Sequence, residues 1–168
     1  AVDVGTGTQD ILLFDSDLEL ENCVQMILPS PTQRVAAQIR RATAAREGIF
    51  LTGVTMGGGP CGWAAEDHLR AGFPVFASPD AARTFDDDLA RVESLGVRIV
   101  DAQSPPAGLR RVEMRDFDYQ AISMALRPFG VDLQPDVIAV AVFDHGAAPS
   151  GVSDRAFRFD YIAETVVR

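Results

Sequence analysis

The pattern of apolar and polar positions predicts that the chain opens with three β-strands in succession. Apolar stretches cover residues 1–4, 11–14 and 23–28, and only short polar segments separate them. The first of these segments, residues 5–9, contains two glycines and two threonines and is typical of a tight turn. The first two strands are therefore predicted to form a β-hairpin, with no helix before the third strand.

Helices and further strands alternate after residue 30. Ser30-Pro31 and Ser78-Pro79 place a capping residue directly before a proline, which is the preferred order at a helix start. The predicted helices occupy residues 31–47, 63–72, 79–95 and 119–126, and the predicted strands occupy residues 49–54, 75–76, 97–100, 109–114 and 137–143. The last strand consists of seven apolar residues, which predicts burial on both faces. Residues 157–167 are predicted to form a final helix or strand.

Composition and charge narrow the class of protein. A chain of 168 residues fits one domain with its own core, and its net charge of −9 disfavours nucleic acid as a partner. No apolar run reaches the roughly 18–20 residues that span a bilayer, so no membrane partner is expected. The two cysteines form neither a CxxC pair nor a secreted disulfide framework, which favours a reducing compartment and predicts a cytoplasmic protein.

Three predicted strands, at residues 1–4, 49–54 and 137–143, are expected to be parallel, and each ends in unusual sequence. The loops that follow them contain Gly5, Thr6, Gly7 and Thr8, then Gly57, Gly58 and Gly59, and finally Asp144, His145 and Gly146. Ligands of open α/β sheets bind outside the carboxyl ends of the strands. The three loops are therefore expected to meet at one sheet edge and to line one cleft.

The first loop has the composition of a phosphate-binding site. Its glycines let the backbone approach a ligand and turn N–H groups outward, while Thr6 and Thr8 add hydroxyl donors. Asp3 lies two residues before Gly5, just ahead of the loop, and is a candidate to hold Mg²⁺ through water. The alternative is a structural hairpin in which the glycines adopt positive φ angles and Asp3 makes a structural hydrogen bond.

Asp144 and His145, at the end of the third strand, are candidate catalytic residues. Together they can act as a base that removes a proton from an attacking hydroxyl or water, because histidine is well matched to neutral pH. The alternative is a turn in which Asp144 caps a backbone N–H group and His145 is half exposed.

The first loop also carries a resemblance to a known superfamily. Asp3, Gly5, Thr6, Gly7, Thr8 and Asp10, followed by the apolar residues 11–14, resemble the first phosphate hairpin of the superfamily that contains actin, the Hsp70 chaperones, sugar and glycerol kinases and acetate kinase. The order of elements is similar to the ribonuclease H-like fold of that superfamily. The resemblance implies an α/β domain with a mixed sheet, a core at residues 1–60 and 129–168, and an inserted subdomain at residues 61–128.

More narrowly, residues 3–10, 55–63 and 144–146 resemble a prokaryotic family of actin-ATPase-like proteins labelled pyruvate formate-lyase activating enzyme-like. The resemblance implies Mg²⁺ and ATP as ligands. It assigns phosphate contacts to Gly5, Thr6, Gly7 and Thr8, and the metal to Asp3. An ATPase-type function would further place Asp144 beside the metal with Asp3, and would use Gly57, Gly58 and Gly59 to position the phosphate. The second ATPase-type domain of that superfamily is expected to be missing from this chain and to be its partner.

Three features depart from this pattern. Several superfamily members have lysine or arginine at the position of Asp10, where a carboxylate repels phosphate unless it faces away or binds metal. All fifteen cationic residues are arginines, so no lysine is available to grip phosphate. Activating-enzyme chemistry uses three cysteines in a CxxxCxxC motif, and with only two cysteines the chain is expected to hold no iron–sulfur cluster.

The leading hypothesis is an actin-like ATPase-fold domain, the N-terminal half of a phosphotransferase or an ATP-driven regulator. One alternative is a non-catalytic accessory or assembly module that keeps the fold but has lost nucleotide binding. Another is a metal-dependent hydrolase of ribonuclease H type that uses Asp3 and Asp144. A kinase or ATPase would need its second domain for turnover, whereas such a hydrolase would work from this domain alone.

Overall fold

The computed structural model describes residues 1–55, 58–142, 148–149 and 152–166, within which eight strands form two four-stranded sheets. The strands are β1 (Val2–Val4), β2 (Thr8–Leu13), β3 (Val24–Pro29), β4 (Ile49–Val54), β5 (Val75–Ala77), β6 (Arg98–Ile99), β7 (Arg110–Arg115) and β8 (Val140–Val142). The helices are α1 (Pro31–Ala45), α2 (Gly59–Arg70), α3 (Pro79–Ala82), α4 (Leu89–Ser94), α5 (Tyr119–Leu126) and α6 (Asp154–Val166). The α/β class predicted from the sequence is confirmed, and the C-terminal segment is a helix.

The first sheet has the strand order β3-β2-β1-β8 and is mixed. Its opening three strands are antiparallel, as predicted, and β8 lies parallel to β1 with Val142 opposite Val4. One face packs against α5, where Ile122 and Leu126 meet a set of buried strand residues. Because side chains alternate along a strand, the residues between these buried positions project from the opposite, open face.

The second sheet has the order β6-β5-β4-β7, and all its strands are parallel. Its main core includes Ile39 of α1 and the strand residues Ile49, Leu51, Val75 and Met114, all fully buried or nearly so. Residues of α2, α3 and α4 complete the same core. The helices therefore cover one face of this sheet, as expected for strands joined by helical crossovers.

The expectation that β1, β4 and β8 share one sheet was right for β1 and β8 and wrong for β4. β4 pairs with β5 and β7 and belongs to the second sheet. Strands joined by a single helical crossover tend to pair with each other, and β4, α2 and β5 form such a unit. The predicted boundaries at residues 60/61 and 128/129 stay predictions.

The burial predicted for residues 137–143 was also wrong for residues 137–142, all of which are exposed. The described strand in this region is Val140–Val142, and Phe143 lies outside the described residues. The physical reason is position, because in the described part of the chain β8 has one neighbour, β1, and lies at the edge of its sheet.

The single helix predicted at residues 79–95 is split into α3 and α4. Asp86 Oδ1 accepts a hydrogen bond from the Asp88 N–H group at 2.8 Å, and Asp88 Oδ1 accepts one from the Ala90 N–H group at 3.0 Å. Aspartates bonded to nearby backbone in this way compete with the helix ladder. The acidic run therefore starts a new helix and does not lie within one.

Nowhere in the described ranges does a helix combine the length and the hydropathy needed to cross a bilayer.

Candidate functional site

The Gly5–Thr8 turn, defined as residues 5–8, closes the β1–β2 hairpin on a short hydrogen bond. The Gly5 N–H group donates to the Thr8 carbonyl at 2.9 Å. Neither Gly5 nor Gly7 has a positive φ angle, so the hairpin does not depend on the backbone freedom of glycine. A Cβ at Gly7 would meet no atom within 4 Å, whereas one at Gly5 would lie 3.1 Å from the Thr8 carbonyl oxygen. The N–H groups of Thr6 and Gly7 have no hydrogen-bond partner within the described residues.

The first turn of α1 anchors this hairpin from one side. Ser30 Oγ donates to the Thr6 carbonyl at 2.8 Å, and the Ser30 N–H group donates to the Gly7 carbonyl at 3.1 Å. Ser30 also caps α1, because its Oγ accepts the Gln33 N–H group at 3.3 Å. The carbonyls of the turn thus point at α1, and one fully buried serine fixes both the helix start and the loop.

The same helical turn holds the start of α2. Thr32 Oγ1 accepts a hydrogen bond from the Cys61 N–H group at 3.1 Å, and Thr32 is only 2 % exposed. The residues around Gly58 and Gly59, predicted as the second phosphate loop, therefore lie across α1 from the Gly5–Thr8 turn. The two glycine loops are brought to the same helix end although their strands belong to different sheets.

The two described glycines of the second loop differ in their surroundings. A Cβ at Gly58 would lie 2.6 Å from the Thr84 carbonyl oxygen, so packing alone requires glycine there. A Cβ at Gly59 would meet nothing within 4 Å. The Gly62 N–H group is already used by the Gly58 carbonyl at 2.6 Å. A phosphate role for these residues stays a prediction, and Gly57 lies outside the described residues.

Asp3 and Asp10 form the main electrostatic feature of the hairpin. They lie directly opposite each other on β1 and β2. Ala1 and Leu12, two positions along, exchange both backbone hydrogen bonds, so Asp3 and Asp10 are also a hydrogen-bonded pair. Such pairs have Cα atoms roughly 5.5 Å apart and side chains on one face. Both carboxylates are exposed on the open face, and Thr8 Oγ1 donates to Asp10 Oδ2 at 3.3 Å.

An open groove of about 750 Å³ lies on this face of the first sheet. Asp3 and Asp10 line it together with apolar residues that include Leu12, Leu20 and Ile27. Ile27 lies opposite Asp10 on β3 and is 72 % exposed. The volume is within the usual range for small-molecule sites, and the groove offers an apolar floor beside two negative charges.

The predicted catalytic residues Asp144 and His145 lie outside the described residues. The structure does place the strand that leads to them, since β8 runs parallel to β1 and both strands end at the same sheet edge as the Gly5–Thr8 turn. The adjacency predicted for the first and third loops stays a prediction, because residues 144–146 lie outside the described residues. The roles of Asp144 in metal binding and of His145 as a base stay predictions.

Neither cysteine has the surroundings of a reactive thiol. Cys61 is fully buried, and burial raises the pKa of its thiol despite the hydrogen bond with Thr32. Cys23 is buried beside Asp15, whose carbonyl lies 3.8 Å from its sulfur. Within the described ranges, no three histidine, cysteine or acidic side chains are grouped as a metal cluster would require. The donor set of the hairpin is therefore a carboxylate pair and not a closed metal cage.

A family model described as "Putative pyruvate format-lyase activating enzyme (DUF1786)" matches residues 56–168, which is more than half of the chain. The chain belongs to the DUF1786 family. The resemblance to a family labelled pyruvate formate-lyase activating enzyme-like is thereby confirmed, whereas the relation to actin-like ATPases stays a prediction. No curated protein and no solved structure shows significant similarity to this DUF1786 chain.

The hairpin register gives Asp10 a place that the sequence alone did not. In the DUF1786 chain the strands pair Asp3 directly with Asp10, so the two side chains lie on the same face of the sheet. The spacing from Asp3 to Asp10 around a tight turn held this information, since a hairpin closed at Gly5 and Thr8 must pair positions 3 and 10. The two carboxylates are better treated as one site.

Proposed function

We propose that this DUF1786 chain is a domain of the actin-like ATPase superfamily that binds Mg²⁺ and the phosphates of a nucleotide at its first hairpin. The observation that carries the proposal is the Asp3–Asp10 carboxylate pair, which lies beside a turn with two N–H groups that have no partner among the described residues. The proposed function is binding and positioning of a phosphate group, for a phosphotransferase or an ATP-driven regulator.

The carboxylate pair supports a cation ligand on energetic grounds. Like charges directly opposite each other on two strands destabilise a sheet. A divalent cation reverses this effect, and Mg²⁺ is typically held by one or two carboxylates together with phosphate oxygens and water. Asp3 and Asp10 match that donor set. The same ion would also remove the repulsion between the Asp10 carboxylate and a bound phosphate, which otherwise argues against phosphate binding at this hairpin.

The turn can bind the phosphates of the proposed ligand, and the groove can bind its uncharged portion. The N–H groups of Thr6 and Gly7 and the hydroxyl of Thr6 can donate to phosphate oxygens, and the chain provides no lysine for this purpose. The apolar groove beside Asp10 has room for an uncharged portion of the ligand. When bound, Mg²⁺ would neutralise phosphate charge, and the protein would act mainly by positioning. In this proposal Asp144, which follows β8 in the sequence, helps to hold the metal, and His145 acts as a base.

A metal-binding titration tests the carboxylate pair before any reaction is known. Calorimetry would be carried out with Mg²⁺ alone, with Mg²⁺ and pyrophosphate, and with Mg·ATP. We expect pyrophosphate to bind only when Mg²⁺ is present. Asp3→Asn and Asp10→Asn should each weaken this binding by about tenfold or more, the change expected when a contact worth about 1.4 kcal/mol is lost.

Asp17→Asn is the matched control. Asp17 is an exposed aspartate near the other end of the hairpin, and its side chain makes no hydrogen bond within the described residues. Its variant should bind as the unmodified chain does. Equal binding by all three variants would overturn the proposal, and a complete lack of Mg²⁺-dependent binding would favour a non-catalytic accessory module.

A further inference from the structure

A second cleft, separate from the hairpin groove, lies between α1 and β7 at the start of α5. Its volume is about 490 Å³, and three arginines line it, Arg34 of α1 and Arg111 and Arg115 of β7. Glu113 and Asp118 are the two acidic residues in its lining. The cleft therefore has an excess of positive charge on a chain whose net charge is −9.

One hydrogen bond fixes the Arg111 side chain, and its two terminal amino groups remain available to bind an anion. Its Nε–H group donates to Thr52 Oγ1 at 3.3 Å, and Thr52 is only 4 % exposed on the neighbouring strand. No carboxylate pairs with Arg111 among the residues that the structure describes. Its two terminal amino groups thus remain available in the fork geometry that binds phosphate or carboxylate with two hydrogen bonds.

Arg34 and Arg115 are oriented by the two carboxylates of the cleft. Arg34 lies 3.9 Å from Asp118, and the Arg115 Nε–H group donates to Glu113 at 3.0 Å. The Arg115–Glu113 pair is exposed and the Arg34–Asp118 pair is partly exposed, and ion pairs in contact with solvent contribute little net energy. An incoming anion can therefore share these arginines, while the carboxylates accept hydrogen bonds from hydroxyl groups of the same ligand. The amides of Gln38 and Gln120 add further polar contacts.

We propose that this cleft is a binding site for a phosphorylated polyhydroxy small molecule. The phosphate binds to Arg111 with help from Arg34 and Arg115, and the hydroxyl groups face Glu113 and Asp118. The volume lies within the range of small-molecule sites. A nucleic acid would need a longer basic track than three arginines on an acidic protein. This site does not depend on the hairpin, since none of its lining residues belongs to the hairpin groove.

The test is a calorimetric titration of the chain in the presence of EDTA, which removes any contribution from a divalent metal site. Ribose 5-phosphate, inorganic phosphate and ribose serve as the three probes. We expect ribose 5-phosphate to bind more tightly than inorganic phosphate, and ribose not to bind. Arg111→Gln should reduce the affinity for ribose 5-phosphate by about tenfold or more, which corresponds to about 1.4 kcal/mol.

Arg83→Gln is the control, because Arg83 is an exposed arginine beside α3, paired with Asp80 outside the cleft. It should leave the affinity unchanged. Circular dichroism must show that Arg111→Gln is folded; if it is not, Arg34→Gln on the exposed side of the cleft replaces it. Equal affinity of the control and the cleft variants, or no binding of ribose 5-phosphate at millimolar concentration, would overturn the proposal. Equal binding of inorganic phosphate and ribose 5-phosphate would reject the polyhydroxy part.

Discussion

His68 is a fully buried titratable group in a helix of the second sheet's core region. Its Nδ1 atom lies 2.7 Å from Thr43 Oγ1, and its Nε2 atom has no partner of good hydrogen-bond geometry within the described residues. Burial lowers the pKa of His68 below its ordinary value of 6.5, and the Pro74 carbonyl opposes this only in part. The folded protein therefore favours the neutral form of this imidazole.

The lowered pKa predicts a loss of stability in mild acid. As the pH falls through the ordinary histidine pKa of 6.5, the unfolded chain takes up a proton at His68 more readily than the folded chain does, so the free energy of unfolding decreases. Urea unfolding at about pH 7.5 and about pH 5.5 measures the difference. His68→Gln should be less sensitive to this change of pH, and an unchanged pH dependence would show that His68 is not responsible.

Among the glycines that the structure describes, Gly53 is the one whose replacement should lower the free energy of unfolding the most. Its φ angle is 80°, and a Cβ would lie 2.2 Å from the Met114 carbonyl oxygen of the neighbouring strand. Gly72 has a similar φ of 86°, but a Cβ there would meet nothing within 4 Å. Gly72→Ala should cost about 1–2 kcal/mol from the backbone conformation alone. Gly53→Ala should cost at least about 1–3 kcal/mol more from the clash, measured by urea unfolding, and equal losses would show that the approach to Met114 adds nothing.

Among the elements, the break between α3 and α4 shows how side chains decide where helices end. Asp88 caps α4, and Asp88→Ala should lower the free energy of unfolding by about 1 kcal/mol, as loss of a helix cap usually does. Asp87→Ala is the control, because Asp87 is exposed and makes no hydrogen bond among the described residues; it should change stability by less than about 0.5 kcal/mol. Urea unfolding measures both variants, and equal effects would rule out the cap.

Elements with a strong local signal could be predicted from the sequence. Ser30 and Ser78, each followed by proline, do start helices, and the strands at residues 49–54 and 75–77 were found within a residue of their predicted bounds. The split at Asp86 and Asp88 was missed because periodic apolar positions continue across it, so only the local hydrogen bonds of the aspartates reveal the break. Helical periodicity does not contain that information.

For the whole molecule, the sequence could not say which strands share a sheet. The apolar run of β4 is compatible with either sheet, and its membership depends on pairing with β5 and β7 far along the chain. The site shows the same limit. Asp3 was found because it precedes a glycine-rich turn, but Arg34 and Arg111 were not, since they are far apart in sequence and only the packing of α1 on β7 brings them into one cleft.

The link between the two sheets at the start of α1 leads to a further prediction. Thr32→Val keeps the shape of the side chain but removes the hydrogen bond that the Cys61 N–H group donates to Thr32 Oγ1, and loss of a typical hydrogen bond costs about 0.5–1.5 kcal/mol. The loss should appear in urea unfolding, and hydrogen exchange of the Cys61 amide should become faster.

Thr165→Val is the control for this change, because Thr165 is an exposed helical threonine whose Oγ1 only returns a hydrogen bond to the Tyr161 carbonyl. It should alter stability by less than about 0.5 kcal/mol. If Thr32→Val were equally mild and left exchange at Cys61 unchanged, the bond between α1 and α2 would not be what holds the second glycine loop beside the hairpin. The packing of Ala36 and Ile39 in the core of the second sheet would then have to hold the Gly5–Thr8 turn and the loop at Gly58 and Gly59 together without the Thr32–Cys61 hydrogen bond.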